Sequence, residues 1–335
     1  FTTVTVEETG AQETIWTTFG FAGRVEQVDL DLTSEATRRL IRGWFEWFAD
    51  HGVAIVRLDA VGYVVKKPGT SCFMVEPEIY DVLDWLIATA ADYDLLVLPE
   101  VHDVPLTQAK LSARGYWTYD FVLPGLLLYA FERRDAARLA EHLAASPGRQ
   151  FTTLDCHDGI PVRPDLEGVL SFAEMSVLAE GVVAGGGNVN RILGDAGAGP
   201  DVHQLNCTYY SALGADDDRY LAARAIQLFA RGVPQLYYVG LLAGENDLEA
   251  VERSGEGRAI NRHDYTTEEI EVALERPVVQ RILELVRLRR DHPAFDGELE
   301  VSVEDNALLR MTWFSGADVA ELVADLDSGA LEIVV

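Results

Sequence analysis

The stretch "VRLDAVGY", residues 56–63, closes an apolar run that begins at Val53 and places Arg57, Asp59 and Tyr63 within one short segment. Strand alternation puts Val53, Ile55, Arg57 and Asp59 on one face. An apolar strand that ends on a guanidinium and a carboxylate makes physical sense where the strand end faces substrate. The pattern recurs: "LLVLPE" (95–100) ends on Glu100, and "QFTTLDCHD" (150–158) ends on His157 and Asp158. Between these runs lie segments of helical periodicity, "TSEATRRLIRGWFEWFADHG" (33–52), "EPEIYDVLDWLIATAADY" (76–93) and a stretch from about Gly125 to Leu143. A weaker strand is expected at "WTYDFV" (117–122). The helix "RYLAARAIQLFARG" (219–232) leads into a fifth strand, "VPQLYYVG" (233–240).

Strands that alternate with helices define βαβ units and a parallel sheet. No GxGxxG opens a helix, and "GGG" at 185–187 reads as a flexible loop, so a nucleotide-binding doubly wound sheet lacks its main signal. Charged residues at the C-terminal ends of successive strands fit a (β/α)8 barrel, whose active site occupies that rim. Five strands are visible where a closed barrel has eight. The expected fold is therefore α/β, a TIM-type barrel lacking about its first three strand-helix units. A partial catalytic barrel is expected over residues 1–295, with a loop-rich insertion near 160–218 and a last long helix over roughly 267–291. The alternating tail, 296–335, reads as a small C-terminal antiparallel β domain.

Composition narrows the partners. A chain of 335 residues with 48% hydrophobic content can bury a large core. Its net charge of -28 arises from 55 acidic and 27 basic residues, and only Lys66, Lys67 and Lys110 of the latter are lysines. Such a field opposes nucleic acid and anionic membrane, so neither is expected as a partner. No apolar stretch reaches the roughly 18 residues of a membrane span. The segment after Phe1 has neither a charged nor an apolar leader region, and Cys72, Cys156 and Cys207 lack metal-ligand spacing. A cytoplasmic protein with no metal and no organic cofactor is the expectation. The acidic excess fits a salt-adapted surface and a high-GC genome equally well. Either way, an anionic substrate needs a local basic pocket.

The strand-end carboxyls suggest the chemistry. Arg57, two residues from Asp59 on one face, favours the ionised carboxylate that a nucleophile requires. Glu100 follows a strand with almost no polar atoms, and desolvation favours the protonated form that a general acid requires. Taken alone, Asp59 has a plainer reading as the cap of the next turn. Three acidic strand ends together are harder to assign to capping. Two carboxyls with opposite demands are the equipment of glycoside chemistry, with water, a sugar hydroxyl or phosphate left open as acceptor.

Longer runs sharpen this. "RLDAVGY" with "KKPGTSCFM" (66–74), "PEVH" (99–102), "LDCHDGI" (154–160), "QLNCTYYSALG" (204–214), "GVPQLYYVGLLAGEND" (232–247) and "GRAINRH" (257–263) together resemble the sucrose phosphorylase group of the α-amylase superfamily over about residues 15–295. The resemblance implies a double displacement with Asp59 as nucleophile, Glu100 as general acid/base and Asp158 as transition-state stabiliser. It implies that Arg57 orients Asp59, that His157 binds sugar hydroxyls, that Tyr63 and Phe19 wall the glucosyl unit and that Arg262 closes its far end. His102 and Gln204 would lie towards acceptor and phosphate. The implied reaction is reversible phosphorolysis of sucrose to glucose 1-phosphate and fructose through a covalent glucosyl-Asp, with inorganic phosphate as co-substrate. A homodimer is compatible with it.

Two features depart from the group. Its barrel begins before the point matching Phe1. His203 stands where the group usually carries Tyr, and Arg163 follows "HDGIP". A His and an Arg near the acceptor suit a phosphorylated one through charge-assisted hydrogen bonds. Sucrose 6'-phosphate, glucosylglycerol and glucosylglycerate are thus alternative substrates. A hydrolase or transglucosylase on the same scaffold, and a non-catalytic binding barrel, are the other readings.

Overall fold

The computed structural model describes residues 2–19, 27–191 and 202–335. Two units result, one of Phe1–Val101 with Tyr116–Thr118, the other of His102–Gly115 with Tyr119–Val335.

In the first unit, β1 (Thr2–Thr5) pairs antiparallel with β2 (Gln12–Ile15). This polar, Thr- and Glu-rich hairpin has no apolar alternation to announce it. Helix α1 (Glu35–Asp50) follows a turn in which Asp31 accepts from the Thr33 N–H (2.9 Å) and hydroxyl (2.6 Å). It ends where Gly52 adopts φ +74°, a conformation that glycine reaches without a Cβ penalty. Its inner face buries Ile41 and Phe45. Strand β3 (Ile55–Leu58), helix α2 (Glu78–Ala91) and strand β4 (Leu96–Pro99) form one βαβ unit with parallel strands. Arg38 and Arg42 of α1 lie over the Trp85 ring of α2 at 4.8 and 5.9 Å, fixing one helix on the other. Leu58 pairs with Pro99, and the Glu100 N–H donates to the Leu58 carbonyl at 3.0 Å, so Asp59 and Glu100 leave adjacent strands at the same end. Among the described residues β3 is hydrogen-bonded to β4 only, and Ile55 is exposed.

The second unit contains α3 (Pro105–Ala113), most of β5 (Thr118–Asp120), α4 (Leu123–Arg133), α5 (Ala137–Ala145), β6 (Gln150–Thr152), β7 (Ile160–Pro161), α6 (Phe172–Ala184), β8 (Asn188–Arg191), β9 (Val202–Asn206), α7 (Tyr209–Ala212), α8 (Asp217–Phe229), β10 (Val233–Pro234), α9 (Tyr238–Leu241), α10 (Leu248–Ser254), α11 (Thr267–Leu274) and α12 (Pro277–Asp291). Strands β11 (Glu298–Asp305), β12 (Leu308–Ser315), β13 (Asp318–Asp325) and β14 (Leu331–Val334) close it as an antiparallel meander. One sheet has the order β10-β6-β5, with β10 parallel to β6, and β7-β9-β8 form a small antiparallel sheet. The core runs from Leu123, Leu126 and Leu139 through Tyr220 and Phe229 into Leu309 and Leu322, so the C-terminal sheet is sealed onto α5 and α8. Trp313 anchors the seal by donating to the Phe229 carbonyl at 2.7 Å.

All five anticipated strands form, but they fall into two sheets and do not close a barrel among the described residues. The architecture is α/β with a C-terminal four-stranded antiparallel sheet. The expected helix over 125–143 is two helices, broken at Arg134 (φ +53°), with Asp135 accepting from the Ala137 N–H to start α5. The expected helix over 267–291 also breaks, because Pro277 has no N–H to continue α11 and instead opens α12. "VPQLYYVG" is a strand only over its first two residues. The expected loop-rich insertion contains α6, started by a reciprocal capping box between Ser171 and Glu174, and its residues 192–201 lie outside the described ones. Arg289 of α12 lies against Phe295 (4.6 Å) and Trp313 (5.0 Å) and donates to the Gly232 carbonyl (3.0 Å). No helix among the described residues is long and apolar enough to cross a membrane.

Candidate active site

The first unit gathers Arg57, Asp59, Glu100, Tyr63 and Phe19. Arg57 lies near the end of β3 and bonds both carboxylates: Nη1 donates to Asp59 Oδ1 at 2.7 Å and Nη2 meets Glu100 Oε1 at 2.5 Å. The other Glu100 oxygen accepts from the Ala60 N–H at 3.0 Å. Ala60 adopts φ +44°, a costly conformation for a residue with a Cβ, at the turn that carries Asp59 off the strand. The two side chains differ in solvation, Asp59 being 75% exposed and Glu100 10%. Glu100 is therefore buried as expected, but it faces a guanidinium and an amide N–H, both of which favour its ionised form. The aromatic residues form a file: Phe19 meets Tyr63 edge-on at 5.3 Å, and Tyr63 meets Phe73 at 4.7 Å. Gly62 makes room for this, since a Cβ there would lie 2.6 Å from the Phe73 ring.

The second unit gathers His157, Asp158, His102, His203, Gln204 and Arg262, together with Arg258, Arg163 and Asp165. After β6 the chain turns through Gly159 (φ +110°), where a Cβ would meet the Leu205 carbonyl at 2.4 Å. That turn presents Asp158, whose Oδ1 accepts from Arg258 Nη1 at 2.8 Å and is paired with Arg262 Nη2 at 3.4 Å. His157 Nε2 is 3.3 Å from Asp158 Oδ2, and Arg262 Nε donates to the His157 carbonyl at 2.6 Å. Arg258 also donates to buried Gln204 (3.0 Å), coupling the carboxylate to β9. Sequence reasoning picked Arg262 from "GRAINRH" and passed over Arg258.

Beside Gln204, His203 Nδ1 lies 2.6 Å from the Arg163 carbonyl, which makes Nδ1 the protonated nitrogen. Burial, with His102 and Arg258 adding repulsion, pushes the His203 imidazole below its usual range. The Arg163 guanidinium bonds Glu167 (2.7 Å) and lies over Phe172 (4.8 Å). The surroundings of His203 in the free protein thus disfavour the cationic form that a charge-assisted bond would use. The Arg163 charge is balanced by Glu167. His102 stacks on Phe121 at 4.0 Å and meets His203 edge-on at 6.0 Å.

Cys156, His157 and Asp158 offer ligand atoms within 4.8 Å of one another. Burial pushes the Cys156 thiol up to about 12, and two guanidiniums already engage the Asp158 carboxylate. The trio is a poor donor set for a metal ion.

The open sheet with strand-end carboxyls defines a class first. An α-amylase from H. orenii matches 90% of the chain and 57% of its own with a TM-score of 0.59 at 14% identity, which establishes the α-amylase-type fold alone. The sucrose 6(F)-phosphate phosphorylase of Thermoanaerobacterium thermosaccharolyticum is 49% identical over 329 residues, 97% of the chain and 67% of that protein. A crystal structure of a sucrose 6F-phosphate phosphorylase superposes with a TM-score of 0.95 over 99% of the chain and 68% of its own. The sucrose phosphorylase of Streptococcus mutans is 45% identical over 303 residues, 90% of the chain and 62% of that protein. No family model matches. The chain belongs to the sucrose phosphorylase family of the α-amylase superfamily, and it spans about two thirds of the length of these relatives.

Proposed function

We propose that this chain carries the catalytic residues of a retaining α-glucoside phosphorylase whose preferred substrate is sucrose 6'-phosphate, yielding glucose 1-phosphate and a phosphorylated ketose. Asp59 attacks the anomeric carbon as the glycosidic C–O bond breaks, and Glu100 gives its proton to the leaving oxygen. Phosphate then displaces Asp59 from the same carbon with Glu100 as base. The division of roles follows placement: exposed Asp59 is open to an anomeric carbon, and buried Glu100, held by Arg57 and the Ala60 N–H, is set beside it. Carboxyls bridged by one guanidinium suit the separation of about 5–5.5 Å used by retaining enzymes. Phe19 and Tyr63 supply apolar walls for the sugar, while Asp158, fixed by Arg258 and Arg262, and His157 take its hydroxyls. His102 and Gln204 serve acceptor and phosphate.

The acceptor reading is carried by His203 on β9 and by Arg258, which bonds the adjacent Gln204 and acts electrostatically on His203, in a chain of charge -28. Similarity to a relative named for sucrose 6(F)-phosphate supports it over unsubstituted sucrose. A phosphoryl dianion reaching His203 draws a proton onto the ring, so binding and protonation are coupled. Because burial lowers the pKa of the free imidazole, the KM for sucrose 6'-phosphate is expected to rise with pH once the free ring has lost its proton, while that for sucrose stays flat. His203→Tyr is expected to raise the KM for the phosphorylated substrate about 10- to 100-fold and to erase this pH trend.

Initial rates of glucose 1-phosphate release from sucrose 6'-phosphate, sucrose, glucosylglycerol and glucosylglycerate test the substrate directly. Free glucose in place of glucose 1-phosphate would reject the phosphorylase reading. Equal kcat/KM for sucrose and its 6'-phosphate would reject the acceptor.

A further inference from the structure

We infer that Asp165 is a positioning residue that holds His102 so that the imidazole meets a phosphoryl oxyanion from Nε2. The inference rests on the reading above that this cluster serves phosphate and acceptor. Asp165 is 1% exposed, and its Oδ2 lies 3.0 Å from His102 Nδ1. Its Oδ1 is buried with no hydrogen-bond partner. A carboxylate half satisfied in an apolar interior is expensive, and such groups are kept where they do something. Among the described residues the polar side chain bonded to Asp165 is His102.

The geometry defines what that bond achieves. With Nδ1 given to Asp165, whatever His102 offers a ligand is offered from Nε2. The ring cannot rotate freely, because it is stacked on Phe121 (4.0 Å, 17° between planes) and Phe121 is stacked in turn on Tyr119 (4.8 Å, 12°). The His203 edge closes another side at 6.0 Å. His203 also acts electrostatically on Asp165, and Arg258 in turn acts on His203. Burial pushes the Asp165 carboxyl above its usual range in the free protein. An oxyanion at Nε2 favours the imidazolium, and the imidazolium in turn favours ionised Asp165, so the buried charge is called up when phosphate arrives. The carboxylate, the imidazole and the oxyanion form a line with alternating charge. The oxyanion comes from one of two sources, inorganic phosphate or the phosphoryl group of the acceptor.

Asp165→Asn retains the shape and removes the charge. If inorganic phosphate is the partner, its KM is expected to rise about 10- to 100-fold in phosphorolysis of either donor. If the acceptor phosphoryl is the partner, the rise appears for fructose 6-phosphate and not for fructose in the synthetic direction. In both cases hydrolysis of the donor in the absence of phosphate stays within a few-fold of the parent. Nitrogen-15 NMR of histidine-labelled enzyme supplies a readout independent of turnover: inorganic phosphate or fructose 6-phosphate shifts the His102 titration in the parent, and Asp165→Asn abolishes that shift. Unchanged KM values with an unchanged His102 titration would overturn the inference, as would a parallel loss of phosphorolysis and hydrolysis. If the parent yields no glucose 1-phosphate from any donor while His102 still responds to an oxyanion through Asp165, the proposed reaction fails and the positioning role stands.

Discussion

Asp59→Asn is expected to lower kcat for glucose 1-phosphate formation about 10⁴-fold or more, with the folded structure intact. The amide is nearly isosteric and its carbonyl still accepts from Arg57 Nη1, so the 2.7 Å contact survives in shape. What is lost is the anionic oxygen that forms the bond to the anomeric carbon. The side chain is 75% exposed and unburdened by packing, so stability should scarcely change. Mass spectrometry of acid-quenched enzyme should show a glucosyl adduct on the parent in the peptide containing Asp59 and none on the variant. Turnover within tenfold of the parent would remove Asp59 from the mechanism. Arg57→Lys complements this test: a single ammonium cannot bridge Asp59 and Glu100 as a planar fork does, and a loss of about 10²-fold is expected from misplacement alone.

Asp59, Glu100 and Asp158 were legible because each interrupts an apolar run, and the parallel register of β3 and β4 turned two of those interruptions into neighbours. The reading that Glu100 is merely desolvated missed the Ala60 N–H, which reaches it only through a backbone turn with positive φ. Arg258 was hidden for a different reason: the carboxylate it bonds lies 100 residues earlier in the chain, and no local pattern records such a contact. His203 was recognisable as a departure, yet its charge state depends on burial that composition does not report. His142 carries no motif in the sequence, yet it pairs with buried Asp120 at the end of β5 (2.9 Å). The breaks at Pro277 and before α5, and the capping box of α6, were written in the sequence; apolar periodicity on both sides of each break masked them. The antiparallel tail was recoverable because one of its faces is solvated, which preserves alternation in the residues.

Arg224→Met should be the most destabilising substitution of a residue outside the proposed site, at about 3–5 kcal/mol. Arg224 is completely buried on α8. Its Nη2 donates to both Asp155 oxygens (2.9 and 2.7 Å), its Nε to the Tyr220 hydroxyl (2.9 Å) and its Nη1 to Gln227 (2.8 Å). Gln227 passes the connection on to the carbonyls of Thr152 (3.0 Å) and Gln235 (2.9 Å), and Tyr220 donates to the Gly240 carbonyl (2.5 Å). One guanidinium thus ties α8 to the ends of β6 and β10. Gly240 admits it, since a Cβ there would stand 2.0 Å from Arg224 Nη2 and 2.2 Å from Asp155 Oδ2. Methionine fills similar space but leaves Asp155, itself 4% exposed, as a buried charge with no counter-ion. The penalty belongs to the orphaned carboxylate more than to the lost bonds, so the double variant Arg224→Met with Asp155→Leu is expected to recover most of the stability. Denaturant midpoints of the parent, Arg224→Met, Asp155→Leu and the double variant decide this: a loss below about 1 kcal/mol for Arg224→Met, or a double-variant loss equal to the sum of the two singles, would mean that the pair does not hold these strand ends. Asp155 precedes His157 and Asp158 on the same short segment, so the double variant should regain stability without regaining full turnover, separating what the ion pair does for folding from what it does for the aim of Asp158.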